Sequence, residues 1–330
     1  MFDEFFTIRA LTRAINKLKP APRKVLDKLF KRSRGELTDD FAIDVVSGTE
    51  TLLPNLGVSD PATVGGTTER KGMKVTAPRL AEKRFIPAKW FNGLRAFSKA
   101  VAVEKVKERL NLELTDMRNK IDRTREHYAA GCLSGKILDS DGSVLVDWLL
   151  PATHKITLGA GSKWSEEGGD FMTDLRTWKR LIEDDAANPI IAWFAFCGWQ
   201  AMDALIPKAK DYMLYVAGDQ LAKEGRIAKL AEVDIIEYNG SYIDANGTRQ
   251  RYVAPDHFML VGLTEQDFEE LYAPVVDLDA PGGVGSGGIP QLFFAKTKQQ
   301  WDPSGIWVKT ESRPLTMVYD ANCFVDADVV

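Results

Sequence analysis

Seven positions set the scale of this chain. Val106, Leu110, Leu114, Met117, Ile121, Thr124 and Tyr128 recur at spacings of four and three residues. Glu108, Arg109, Asp116, Arg123 and Arg125 fill the opposite face. This is the pattern of an amphipathic helix. It predicts a helix over about 96–130, closed by Gly131 and Gly135. At ~1.5 Å per residue such a helix is ~50 Å long. That exceeds the width of a small domain, so the helix must act as a spine that other elements cover along its length.

The residues before it lack a core of their own. Across 1–95, short apolar stretches alternate with Pro, Gly and Thr. Ile8, Leu11, Ile15 and Leu18 have helical spacing and are stopped by Pro20 and Pro22. Val25, Leu26, Leu29 and Phe30 form a second patch, and Phe41, Ile43 and Val45 alternate as in a half-buried strand. From Asn55 to Pro87, Gly57, Pro61, Gly65, Gly66, Gly72 and Pro78 punctuate the chain. Two extended arms around a glycine-rich tip, a long protruding hairpin, would produce that pattern. A core-poor segment of this length is expected to lie on another surface, foremost a second copy of the chain.

Charge points the same way. Residues 1–95 carry 18 Lys and Arg against 11 Asp and Glu, a net of +7, whereas the remainder carries 25 against 36, a net of −11. A basic arm can address nucleic acid, an anionic membrane or an acidic protein surface. A neighbouring copy supplies the acidic surface, with nucleic acid as the competing partner. No apolar run approaches the ~20 residues of a membrane span, and the start Met1-Phe2-Asp3-Glu4 does not read as a signal peptide. Cys132, Cys197 and Cys323 are odd in number, far apart and set among apolar residues, as expected of reduced, buried thiols.

Beyond about 165 the pattern is compact α/β. Phe171, Leu175, Trp178 and Ile182 mark a helix, and Ile190–Cys197 is an unbroken apolar run like a buried strand. A helix with Trp199, Met202 and Ile206 ends at Pro207. Val233–Tyr238 and His257–Gly262 read as strands. Asn239-Gly240 and Asn246-Gly247 read as turns, and Thr316–Tyr319 and Cys323–Val325 are apolar stretches at the end.

Catalytic chemistry does not assemble from these residues. His127, His154 and His257 neighbour neither each other nor a cysteine, and no zinc-ligand spacing occurs. Gly283-Val284-Gly285-Ser286-Gly287-Gly288 matches a dinucleotide fingerprint in letters, but Ile289-Pro290 follows where a helix would have to start. Asp139-Ser140-Asp141-Gly142 is a turn without the rest of a calcium loop. No catalytic, cofactor-binding or metal residues are expected.

Four segments carry a resemblance. They are TWKRLIED at 177–184, LAEVDIIEYNGSYID at 230–244, APDHFMLV at 254–261 and SRPLTMVYDAN at 312–322. In this order, after a basic arm, a hairpin and a spine helix, they resemble the major capsid proteins of tailed phages, in particular the lambda-like major capsid protein E family. The resemblance implies an α+β chain with the Hong Kong 97 phage capsid fold. It implies an N-terminal arm at 1–55, an extended loop (long hairpin) at 56–92 and a peripheral domain with the long spine helix at 93–164. An α/β axial domain at 165–275 follows, then a glycine-rich loop with return strands at 276–330. It also implies self-assembly into homo-hexamers and homo-pentamers of an icosahedral head. Portal protein, a separate scaffolding protein, a decoration protein and packaged double-stranded DNA are the implied partners, with no membrane. The setting would be the virion, assembled in the host bacterial cytoplasm. Arg70, Lys71 and Lys74 near the loop tip, and Leu11, Ile15 and Phe30 in the arm, are the expected intersubunit contacts. No covalent cross-link is expected. An encapsulin-like nanocompartment shell is the alternative within the same fold, and a basic-arm nucleic-acid-binding protein is the alternative outside it.

Overall fold

A computed structural model describes residues 7–18, 21–47, 69–92, 99–209, 225–280 and 289–330. The glycine-rich tip expected at 57–66 and the loop at 282–288 lie outside the described residues. Among the described residues no helix is long and apolar enough to cross a membrane.

The spine is α4, Lys99–Leu133, 35 residues long. It runs through Gly131 instead of stopping there. A Cβ at Gly131 would lie 2.7 Å from the Lys136 carbonyl oxygen, so this glycine permits close packing inside the helix. The stop falls at Gly135, whose φ of +82° is the left-handed conformation that glycine adopts without penalty. The β5–β6 hairpin, Lys136–Leu138 and Val144–Asp147, follows directly.

The two halves of α4 serve different cores. Leu110, Leu114, Met117 and Ile121 pack with Leu11 and Ile15 of α1 (Ile8–Lys17) and with Ile86, Phe293, Ala295 and Val308. The latter belong to or border an antiparallel sheet ordered β15-β16-β4, formed by Phe294–Gln300, Gly305–Ser312 and Leu80–Pro87. Further along, Tyr128, Ala129, Cys132 and Leu133 join a second core with Val25, Leu26, Leu29 and Phe30, the last residue just past α2 (Val25–Leu29). This core also takes Phe268, Leu271, Leu315 and Met317 from a sheet ordered β1-β14-β17, formed by Arg32–Gly35, Phe268–Tyr272 and Pro314–Val318.

A larger sheet, ordered β7-β18-β13-β8-β10-β9, carries the α/β part. Its strands are Lys155–Thr157, Phe324–Asp328, His257–Leu263, Ala192–Cys197, Val233–Glu237 and Lys229–Leu230. Strand side chains alternate between faces. Ala195, Cys197, Phe258, Leu260 and Val325 therefore meet α5 (Phe171–Asp185) and α6 (Trp199–Ala209) in a third core. Phe194, Phe196, Met259, Val261 and Phe324 point back into the core shared with the spine. Covered on both faces, β8 and β13 read as continuous apolar runs for that reason. Helix α6 continues past Pro207, which sits in its last turn instead of ending it.

The protruding hairpin pairs β2, Asp40–Ser47, with β3, Glu69–Thr76, in register from Asp40↔Thr76 to Ser47↔Glu69. Its first arm thus lies upstream of the boundary at 56. The strand after Pro78 leaves the hairpin and joins β16 as β4. Helix α3, Lys89–Asn92, closes the segment before the spine.

Leu114 is fully buried where α1, α4 and the β15-β16-β4 sheet meet. Leu114→Ala is expected to destabilise the folded subunit by about 2–5 kcal/mol. Urea unfolding measures this, and a loss below about 1 kcal/mol would contradict the packing described.

Candidate assembly elements

The arm is fixed to its own chain by a buried ionic junction. Glu126, on the second half of α4, accepts from the backbone N–H groups of Lys24 (2.8 Å), Val25 (2.9 Å) and Leu26 (3.0 Å). One carboxylate thus satisfies donors at the start of α2, which lacks a side-chain cap of its own. Burial, with the Glu126 carboxylate beside it, pushes the Tyr238 phenol well above its ordinary value. One turn earlier, Asp122 accepts from Arg125 Nη1 (2.5 Å), Arg23 Nη1 (3.3 Å) and Arg118 Nε (3.4 Å). Arg118 in turn donates to the Ile15 carbonyl near the end of α1. Arg125 holds Glu270 of β14 in a bidentate pair, 2.6 Å at each contact.

Arg23, Arg118 and Arg125 therefore converge on Asp122, Arg125 also holds Glu270 and Arg23 also pairs with Asp27 at 2.9 Å. Burial alone would push the Arg125 guanidinium down. Glu270 and Asp122 outweigh it and hold the pKa above the usual arginine value. Arg118, less well compensated, is lowered by burial. Arg125 was expected on the polar face of the helix, yet its side chain is 3% exposed. An acid three residues before it and another on β14 make this burial tolerable.

The expected intersubunit contacts divide in two. Leu11 (2% exposed), Ile15 (0%) and Phe30 (5%) lie inside the cores of their own chain. Leu11 and Ile15 pack against the first half of α4 and the β15-β16-β4 sheet, and Phe30 against the second half of α4 and Phe268 of β14. Lys74 pairs with Asp40 across the hairpin at 2.8 Å, with the ammonium exposed. Arg70 and Lys71 stand in β3 opposite Val46 and Val45. Their side chains lie outside the described residues.

Several cations of 1–95 are likewise met within the chain. Arg79 makes a bidentate pair with Glu311, at 2.8 and 2.9 Å. Arg84 reaches Glu82, Glu113 and Asp116. Arg34 pairs with Glu36. The base of the hairpin is locked by Arg313, which bonds Asp39 and the Pro274 carbonyl. Asp277 joins β15 to β16 through Lys296 (2.6 Å) and Lys309 (2.8 Å).

No constellation for catalysis emerges among the described residues. Asp267, Asp320 and Cys323 converge and are buried. Their atoms are already engaged: Asn188 and Thr264 donate to Asp267, and the Ala187 and Asn322 N–H groups donate to Asp320. The three thiols are buried and unpaired. Burial pushes Cys132 up to about 12 and the other two higher still, so none is a ready nucleophile.

This arrangement, a spine helix clothed by its own arm, a projecting hairpin and an α/β sheet domain, is that of shell-forming subunits with the Hong Kong 97 fold. Residues 7–329 match the family model described as phage major capsid protein E, and the chain belongs to that family. Solved structures share the fold at low identity. A protein of a prophage of E. coli CFT073, assigned as its capsid protein, is 18% identical with a TM-score of 0.65, over 98% of this chain and 99% of that one. The capsid of cyanophage P-SCSP1u is 11% identical at TM-score 0.54, over 95% and 90%. The holo-SrpI encapsulin complex of Synechococcus elongatus PCC 7942 is 12% identical at TM-score 0.54, over 94% and 88%. No curated protein matches the chain.

Two outcomes are expected from the ionic contacts. Arg125→Met leaves Glu270 buried without its partner and should cost about 3–5 kcal/mol. Adding Glu270→Leu should recover part of that loss, and chemical denaturation of the cycle measures the coupling. A double variant no more stable than Arg125→Met would refute the pairing. The second outcome concerns Asp277. Although burial pushes its carboxyl up, Lys296 and Lys309 hold it at about 2. A lowered folded value favours folding above about pH 4. That contribution should fade from about pH 4 to 2, and Asp277→Asn should flatten the acid limb of stability against pH. An unchanged limb would contradict the assignment.

Proposed function

We propose that this chain is the major capsid subunit of a tailed phage or prophage and forms homo-hexamers and homo-pentamers of an icosahedral head around double-stranded DNA. The observation that carries the reading is the family match over 7–329, which spans every element described above. The role is structural and not catalytic, in keeping with thiols that are buried and carboxylates that are already engaged. Portal protein, a separate scaffolding protein and a decoration protein are proposed partners. Assembly is proposed to take place in the bacterial cytoplasm and the mature product to be the virion. The likeness to an encapsulin concerns the fold alone and does not favour a protein-filled compartment over a phage head.

In this reading the domain layout follows the family: arm, extended loop, peripheral domain around the spine, axial domain around the six-stranded sheet, and C-terminal return strands. The hairpin lies over a neighbouring subunit, and Arg70 and Lys71 meet carboxylates there. Exposed pairs of that kind contribute roughly 0–1 kcal/mol each. Repetition over a shell makes such small terms effective. Trp301, 95% exposed at the β15–β16 turn, is a further surface that a neighbour would cover.

Negative-stain electron microscopy of the purified chain, alone and co-expressed with a scaffolding protein, tests this reading. Closed shells or capsomer rings are expected. A monodisperse monomer or dimer under both conditions would sink it. In the same assay the double variant R70E/K71E should give fewer closed shells while leaving the subunit's melting temperature unchanged.

A further inference from the structure

A groove of about 530 Å³ opens between the second half of the spine helix, the β5–β6 turn and the β11–β12 hairpin, whose strands are Ser241–Ile243 and Arg249–Arg251. Its walls carry Lys120, Arg123 and His127 from the helix, and Tyr242, Asp244 and Arg249 from the hairpin. It is a built site whose walls are held together. The Ala245 N–H donates to the Ser140 carbonyl at 3.1 Å. The Tyr252 hydroxyl donates to the Arg123 carbonyl at 3.3 Å. The rings of His127 and Tyr242 meet at 4.5 Å.

Its charge opposes its surroundings. Residues 96–330 carry 25 Lys and Arg against 36 Asp and Glu, yet this groove is cationic. Lys120 is compensated by Glu82 at 2.8 Å. Asp244 accepts from Thr248 N (2.8 Å), Asn246 N (2.9 Å) and Gln250 Nε2 (3.2 Å), which hold it ionised, so it offsets one of the groove's cations. Among the described residues, no carboxylate pairs with Arg123 or Arg249. Two guanidiniums without a carboxylate partner thus face one groove from two different elements, against the single negative charge of Asp244. His127 adds no charge, because burial lowers its pKa; its Nε2 faces the Leu138 carbonyl at 3.1 Å. Ser140, Ser241 and Tyr242 add hydroxyls to the lining.

We propose that this groove binds the phosphodiester backbone of nucleic acid through Arg123 and Arg249. The proposal rests on the capsid reading above, in which the subunit must meet packaged DNA, and it adds the place of contact. Arginine forks together with hydroxyl donors are the usual partners of phosphate oxygens. An acidic protein segment would also be drawn to the arginines. The groove is far roomier than a carboxylate side chain requires, and its hydroxyls suit an anion with more acceptor oxygens.

The test is the binding of a labelled 20-base-pair DNA duplex to the full-length chain as a function of salt. The variants compared are R123Q/R249Q, R123K/R249K and a control pair, R176Q/R180Q. The control removes the same charge from the exposed face of α5. Each phosphate contact contributes about 0.9 to the log–log salt slope. R123Q/R249Q should lower that slope by about 1.8, while the lysine variant and the control keep it. If R123Q/R249Q binds DNA as the control does, the proposal is overturned. It is equally overturned if R123Q/R249Q loses binding to polyglutamate but not to DNA, because the groove would then take carboxylates. Electron microscopy of the same samples separates the two readings. Shells with unaltered DNA binding reject the groove alone, whereas the absence of shells from the wild type rejects the capsid assignment on which it rests.

Discussion

One buried carboxylate decides where α2 belongs. Glu126 collects the three N–H groups at the start of α2, and its neighbour Asp122 collects three guanidiniums. Releasing the arm would strip Glu126 of these N–H donors and Asp122 of Arg23, and expose the apolar faces of α1 and α2 to water. The junction therefore makes the arm a part of its own subunit. It also links the spine to β14 through Arg125 and Glu270, so that arm, helix and central sheet share one set of charges.

This placement redistributes the work of assembly. Leu11, Ile15 and Phe30 are spent on the subunit's own cores. In the proposed capsid, contacts between subunits fall to surfaces that the chain leaves open, such as Lys74 of the β2–β3 hairpin and Trp301. A helix of 35 residues that serves two cores also gives the subunit a rigid axis.

Much of this was legible from residue order. The spine announced itself through apolar spacing, β8 and β13 through unbroken apolar runs, and α5 through Phe171, Leu175, Trp178 and Ile182. What escaped has physical causes. The strands β15 and β16 mix Lys, Gln and Trp with few alternating apolar residues, because α1 and α4 cover only one face of that sheet. Pro207 sits in the last turn of α6 and Gly131 inside α4, positions where the usual breaking rules yield to packing. The junction was hidden because Arg125 and Glu126 look like solvated residues until the partners Glu270 and Lys24–Leu26, far away in sequence, are brought to them. The signal that could have revealed it is the close run of Arg118, Asp122, Arg125 and Glu126, charges of both signs crowding the edge of the apolar stripe. The intrachain partners of Arg23, Arg79 and Arg84 were hidden for the same reason. Sequence shows that acids exist, and only the fold shows that Asp122, Glu311 and Glu113 are the ones within reach.

Amide hydrogen exchange on the unassembled subunit tests the central claim, that the arm is folded onto its own chain before any neighbour arrives. The amides of Lys24, Val25 and Leu26, and those of α1, should be protected in the free subunit to nearly the extent seen in α4. Exchange at the rate of an unstructured chain, with protection gained only on assembly, would contradict the account and return the arm to the surface of a neighbour.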